Sequence, residues 1–120
     1  MLQAILWGIL ALIHFMPALA FFRPSGMTQL YGIDAANPLF LLMHHRAALF
    51  LAVFIACIWA IFDPGARRLA VAVVGVSMIS FLYLYWQSGS PEALRVIAIA
   101  DMIGIPALIA LAYLNFRPAL

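Results

Sequence analysis

Apolar residues fill this chain in four long blocks, separated by short clusters of turn formers and charges. The first block runs from Leu2 to Phe22 and ends at Arg23-Pro24-Ser25-Gly26. The second opens at Asn37-Pro38 and continues to Phe62, where Asp63-Pro64-Gly65 stops it. The third covers Leu69 to Trp86, and Ser88-Gly89-Ser90-Pro91 divides it from a fourth that reaches Asn115. A helix of about 20 mainly apolar residues crosses a bilayer, so each block is long enough to span. The expected fold is all-α, a single integral membrane domain over residues 1–120 with spans at 2–22, 38–62, 69–86 and 91–115. Tight second and third connections make sequential helices antiparallel neighbours, which predicts an up-down-up-down four-helix bundle.

The boundaries carry their own chemistry. Asn37 suits a helix cap, and Pro38 suits the first turn, where its missing N–H costs nothing. Ser90 and Pro91 repeat that pattern before the fourth span. Between the first two spans, Met27 to Ile33 is too short to cross and carries Tyr31, which suits the headgroup level. Ser25 and Gly32 bound it as a short surface helix. Ala18-Leu19-Ala20 resembles a signal-peptide cleavage site. However, no Lys or Arg precedes the long apolar run, so it reads as a retained span.

Composition narrows the class. Hydrophobic residues make up 68% of the chain and charged residues 8%, whereas a water-soluble domain carries about a quarter charged residues. A water-facing surface of ordinary size is excluded. The net charge of +2 comes entirely from arginines, which stand singly except for Arg67-Arg68. With no basic stripe to neutralise successive phosphates, nucleic-acid binding is excluded as well. Cys57, the one cysteine, has no internal disulfide partner and reads as a small buried hydrophobe. Arg67, Arg68 and Arg117 lie at the end holding both termini, against Arg23 and Arg95 at the other end. That bias places both termini in the cytoplasm.

Converting position to depth gathers the remaining polar residues. His14 lies about 12 Å below the non-cytoplasmic face, and His44, His45 and Arg46 about 9 to 12 Å below it. Ser80 comes out about 10 Å down and Asp101 about 15 Å down. A charge at the bilayer centre costs about 2.5–3.5 kcal/mol on insertion scales, so Arg46 and Asp101 are expected to pair in the interior. Ser80, Tyr83 and Gln87 share one helix face. Adjacent His44 and His45 point about 100 degrees apart, so only one can face the core. Tyr85, Trp86 and Arg95 read as interfacial anchors. Pro17 and Pro106 each remove a helix hydrogen bond near this layer and spread the helices around it. The candidate ligand-binding set is therefore His14, His44, His45, Arg46, Ser80, Tyr83 and Asp101. The opposite half, with Ala56, Val74 and Ala110, is expected to be packed solid.

No P-loop, zinc-ligand pair, nucleophile elbow or dinucleotide fingerprint is present. The His44-His45 doublet lacks the i, i+4 partner that a metal site on one helix would use, so no metal is expected. Matched depth makes a b-type haem held by His14 with His44 or His45 a geometric alternative. A redox or hydrolytic membrane enzyme using the same histidines is another. Asp101 offers the core carboxylate of a proton-coupled transporter, which would need several copies. Ala100-x-x-x-Gly104 is a weak helix-packing signal for a homo-oligomer.

Leu30-Tyr31-Gly32 before the second span, His45-Arg46-Ala47 within it and Asp101 in the fourth resemble the small four-helix bacterial membrane proteins of the DoxX-like kind. The likeness covers nearly the whole chain and is mostly architectural. It implies a bacterial inner-membrane protein associated with quinone-linked or redox complexes, and it carries over no catalytic residue. With hydrogen-bonding groups but no catalytic constellation, the expected function is an accessory or ligand-binding subunit. Its polar layer would take a quinone, a lipid headgroup or a similar amphipath, within the bilayer or a larger membrane complex.

The arginine bias is tested by cysteine labelling. A reagent confined to the non-cytoplasmic side should modify Thr28→Cys and spare Ala66→Cys; the reverse pattern overturns the orientation.

Overall fold

The structure is a computed structural model and describes residues 1–23 and 36–117. It contains four long helices: α1 (Leu2–Leu19), α2 (Phe40–Phe62), α3 (Arg67–Gln87) and α4 (Arg95–Phe116). Single 3-10 turns at Pro64–Ala66 and Glu92–Leu94 precede α3 and α4. All four helices are long and apolar enough to cross a membrane. Hydrocarbon supplies no water to bond the backbone, so apolar segments of this length must satisfy their N–H and C=O groups internally, as helices do. The all-α membrane bundle expected from the sequence is the fold observed. The expected surface helix between Ser25 and Gly32, with Tyr31, lies outside the described residues.

Local chemistry sets the helix ends. Phe21 and Phe22 donate their N–H groups to the Ala18 and Leu19 carbonyls, three residues back. This tightening turn ends α1 at Leu19, short of the expected Phe22. The Asn37 side chain accepts from the Leu39 N–H at 2.9 Å, a cap displaced by a turn from the α2 start at Phe40. Asp63 closes α2 and opens the next turn, accepting from the Gly65 N–H (2.9 Å) and from the Trp59 indole (3.1 Å). At the end of α3, Gly89 bonds back to the Trp86 carbonyl and Ser90 to the Tyr85 carbonyl, a Schellman arrangement. It puts Gly89 at φ 84° and Ser90 at φ 54°. Ser90 therefore belongs to the end of α3 and does not cap α4, which starts at Arg95.

The helices close a ring in which each packs on its chain neighbours and α4 returns to α1. The α1–α2 seam is the most extensive and the α2–α3 seam the thinnest of the four. The main core draws on every helix, with Trp7 and Leu10 from α1, Cys57 from α2, Val74 and Met78 from α3, and Leu111 from α4 fully buried. It occupies the half of the bundle near the termini and the second connection. Gly104 is the tightest point. A Cβ there would stand 2.7 Å from Ile13 Cδ1, 2.8 Å from Met78 Cε and 3.3 Å from Leu10 Cδ2. Without a side chain at 104, α4 can approach α1 and α3 closely, as small residues permit in membrane bundles.

Polar clasps lock the same end. The Arg67 side chain donates to the Ala60 (2.8 Å) and Ile61 (3.1 Å) carbonyls at the end of α2. Arg68 donates to the Asn115 carbonyl of α4 at 2.9 Å, and Asn115 donates to Gln3 of α1 at 3.0 Å. The Gln3 and Asn115 contact and the packing around Gly104 together define one antiparallel register between α1 and α4.

The Gly104 contact yields a graded prediction. The atoms crowding its missing Cβ are ends of flexible side chains, so Gly104→Ala should change unfolding stability in detergent by less than about 1 kcal/mol. Gly104→Leu should cost about 1–3 kcal/mol by overpacking. Equal stability of the two variants in a denaturant titration would show that α4 does not approach α1 and α3 as described.

Candidate functional site

The residues of the expected polar layer separate into four environments. His14 and Asp101 are interior, at 1% and 4% exposure, and are the two buried polar residues among those described. His14 Nδ1 lies 2.8 Å from the Leu10 carbonyl oxygen one turn back. A carbonyl can only accept, so Nδ1 carries the proton, and Nε2 of the neutral ring is left as an acceptor. That Nε2 is buried and has no hydrogen-bond partner. The α1–α4 register brings Asp101 and His14 to one level: Gly104 meets Leu10 and Ile13, and Asp101 lies one turn before Gly104 while His14 lies one turn after Leu10.

Arg46 lies on the seam between α2 and α3. Its guanidinium carbon stands 4.6 Å from the Phe50 ring centroid and 5.2 Å from that of Phe81, within the range of cation–π attraction. Phe50 in turn meets the His14 ring at 6.0 Å between centroids, so the imidazole and the guanidinium share one phenyl ring as a neighbour. Arg46 and Asp101 do not form the contact ion pair expected from the sequence. Among the described residues, the ion pair within 4.0 Å is Arg95 with Glu92, at 3.7 Å on the surface.

The histidine doublet divides as its geometry requires. His44 donates from Nε2 to the Phe21 carbonyl at 2.9 Å and packs on the Phe21 and Phe40 rings. It fastens the end of α1 to the start of α2. His45 points outward. A haem would need His14 and one of this pair aimed into a common space. Instead, Nε2 of His44 is engaged by the backbone, His45 faces out and His14 is buried against Phe50. The donor set does not suit a haem. No group of three or more metal-ligating side chains occurs among the described residues.

On α3 the expected polar stripe faces the wrong way for an interior site. Ser80, Tyr83 and Gln87 are exposed, while Met78, Leu82 and Tyr85 form the inward face. Ser80 Oγ donates to the Val76 carbonyl of its own helix, the usual fate of a serine within a membrane helix. Tyr85, read as an interfacial anchor, is buried beside Leu82 and Ala98 and stacks on Phe81. Phe50, Phe81 and Tyr85 were missed by an inventory of polar groups because their contribution is ring placement.

A cleft of about 430 Å³ lies between α2 and α3. Arg46 and Ser80 line it, together with apolar side chains such as Leu49, Phe50, Val73 and Leu84. Its exposed walls open it sideways, toward the surface that lipid would cover. His14 and Asp101 are absent from its lining. A second hollow of about 300 Å³, lined by Ala56, Trp59 and Leu69 among others, continues down the same seam. The two share Ala52 and Val73. The interior of the half expected to be solid is packed around Cys57, Val74 and Leu111, and the hollow beside Ala56 is a groove on its surface.

The unequal roles of the two adjacent histidines give a simple test. His44→Ala should lower stability by about 1 kcal/mol through loss of the bond to the Phe21 carbonyl. His45→Ala should stay within about 0.5 kcal/mol, as an exposed side chain does. Matching losses for both in a denaturant titration would contradict the placement of His44.

No protein-family model matches the chain, and neither curated proteins nor solved structures show a significant similarity to it.

Proposed function

We propose that this protein is a small accessory or ligand-binding membrane subunit whose site is the cleft between α2 and α3. The occupant is an amphipath with an apolar tail and a hydrogen-bond-accepting head, as in a quinone or a lipid. One observation carries this reading. A cleft of about 430 Å³, apolar along its walls, ends at a guanidinium. That volume lies within the range of about 300–1,000 Å³ typical of small-molecule sites.

The chemistry follows from the lining. Ser80 already directs its hydroxyl proton to Val76, so Arg46 is the donor that meets a ligand head. Its five N–H groups lie in one plane and can serve several acceptors at once. Phe50 and Phe81 lie within cation–π range of that guanidinium and position it at the cleft. The tail then follows the seam toward Ala52 and Val73. Placement in a bacterial inner membrane, both termini in the cytoplasm, and a role within a larger complex or homo-oligomer belong to the same proposal. They are supported by the arginine bias and the DoxX-like resemblance.

Native mass spectrometry from mild detergent tests the site. The wild type should carry a bound amphipath, and fragmentation of the adduct distinguishes a quinone from a phospholipid. Arg46→Met should weaken retention about tenfold or more, equivalent to about 1.4 kcal/mol. Ala52→Trp should block the cleft and abolish retention while preserving the helical spectrum. Adducts unchanged in both variants would refute the cleft as the site.

A further inference from the structure

We propose that His14 and Asp101 form a buried proton-holding pair between α1 and α4, in which a neutral Asp101 carboxyl donates to Nε2 of His14 through one bridging water. Three observations converge on it. Both side chains are more than nine-tenths buried. His14 Nε2 is an acceptor without a partner, because the ring's proton is committed on Nδ1 to the Leu10 carbonyl. The α1–α4 register, drawn from Gly104 against Leu10 and Ile13 and from Asn115 against Gln3, brings Asp101 to the level of His14 along the α1–α4 seam.

The proton count then follows. An ionised Asp101 would set two acceptors against each other in an apolar interior. One proton on the carboxyl turns that opposition into a water-bridged hydrogen bond and leaves no net charge on the pair. The groups around it do not offer a better arrangement. From α2, Arg46 packs against Phe50 and makes no contact ion pair with Asp101. From α3, the buried titratable side chain is Tyr85, packed beside Ala98 one turn nearer the third connection. The pair does not line the α2–α3 cleft, so this inference stands apart from the ligand proposal.

Infrared spectroscopy of the protein in liposomes at neutral pH tests the pair, with carbon-13 at the aspartate side-chain carboxyls. A carboxylic C=O stretch should be present, shift with the label, disappear in Asp101→Asn and move in frequency in His14→Phe. Nitrogen-15 solid-state spectra of the wild type need no variant and should show His14 protonated at Nδ1 and accepting at Nε2. The proposal is overturned by the absence of a carboxylic band in the wild type, by a band that His14→Phe leaves in place, or by a His14 protonated at Nε2.

Discussion

Hydrocarbon offers no hydrogen bonds, and that single deficit organises this molecule. Four helices satisfy the backbone along their lengths, but each helix end leaves carbonyls unpaired. The chain assigns cationic or ring donors to several of them. Arg67 holds the Ala60 and Ile61 carbonyls, Arg68 holds that of Asn115, and His44 holds that of Phe21. Helix C-termini carry partial negative charge, so arginine is suited to them on electrostatic as well as geometric grounds. Arg67 and Arg68 read from the sequence as markers of orientation. In the fold they also tie α2, α3 and α4 together at one end.

The seams divide the labour of packing. Where α4 meets α1 and α3, Gly104 allows close approach and the core is dense. Where α2 meets α3, small residues leave space without drawing the backbones together, and the seam hollows along its length. Tight contact on one side and slack on the other make a rigid wall beside a cleft. A lipophilic tail can occupy such a cleft without opening the bundle. Arg46 marks the cleft's polar end because two phenyl rings hold it there.

The side chains of the expected polar layer do not form a single chamber. His14 and Asp101 lie inside, Arg46 on the seam, His44 at a helix junction, and His45 and Tyr83 outside. Each side chain at that level followed the partner its own helix face could reach. His14 found a carbonyl one turn back, His44 found one on the neighbouring helix, and Ser80 turned to its own backbone.

Much was legible in the residues alone. The lengths of the apolar blocks, the stops at Asp63-Pro64-Gly65 and Ser88-Gly89, and the depth of His14, Arg46 and Asp101 are local properties, readable by counting along a helix. Only the tertiary structure decided which way each helix face turns. In water, a polar stripe shows which side of a helix faces out, because the outside is polar. In a bilayer both the outside and the core are apolar, so rotation about the helix axis is set by packing shape and by a few partner groups. That is why Ser80, Tyr83 and Gln87 could share a face and still look outward, and why Tyr85, on the opposite face, is inside.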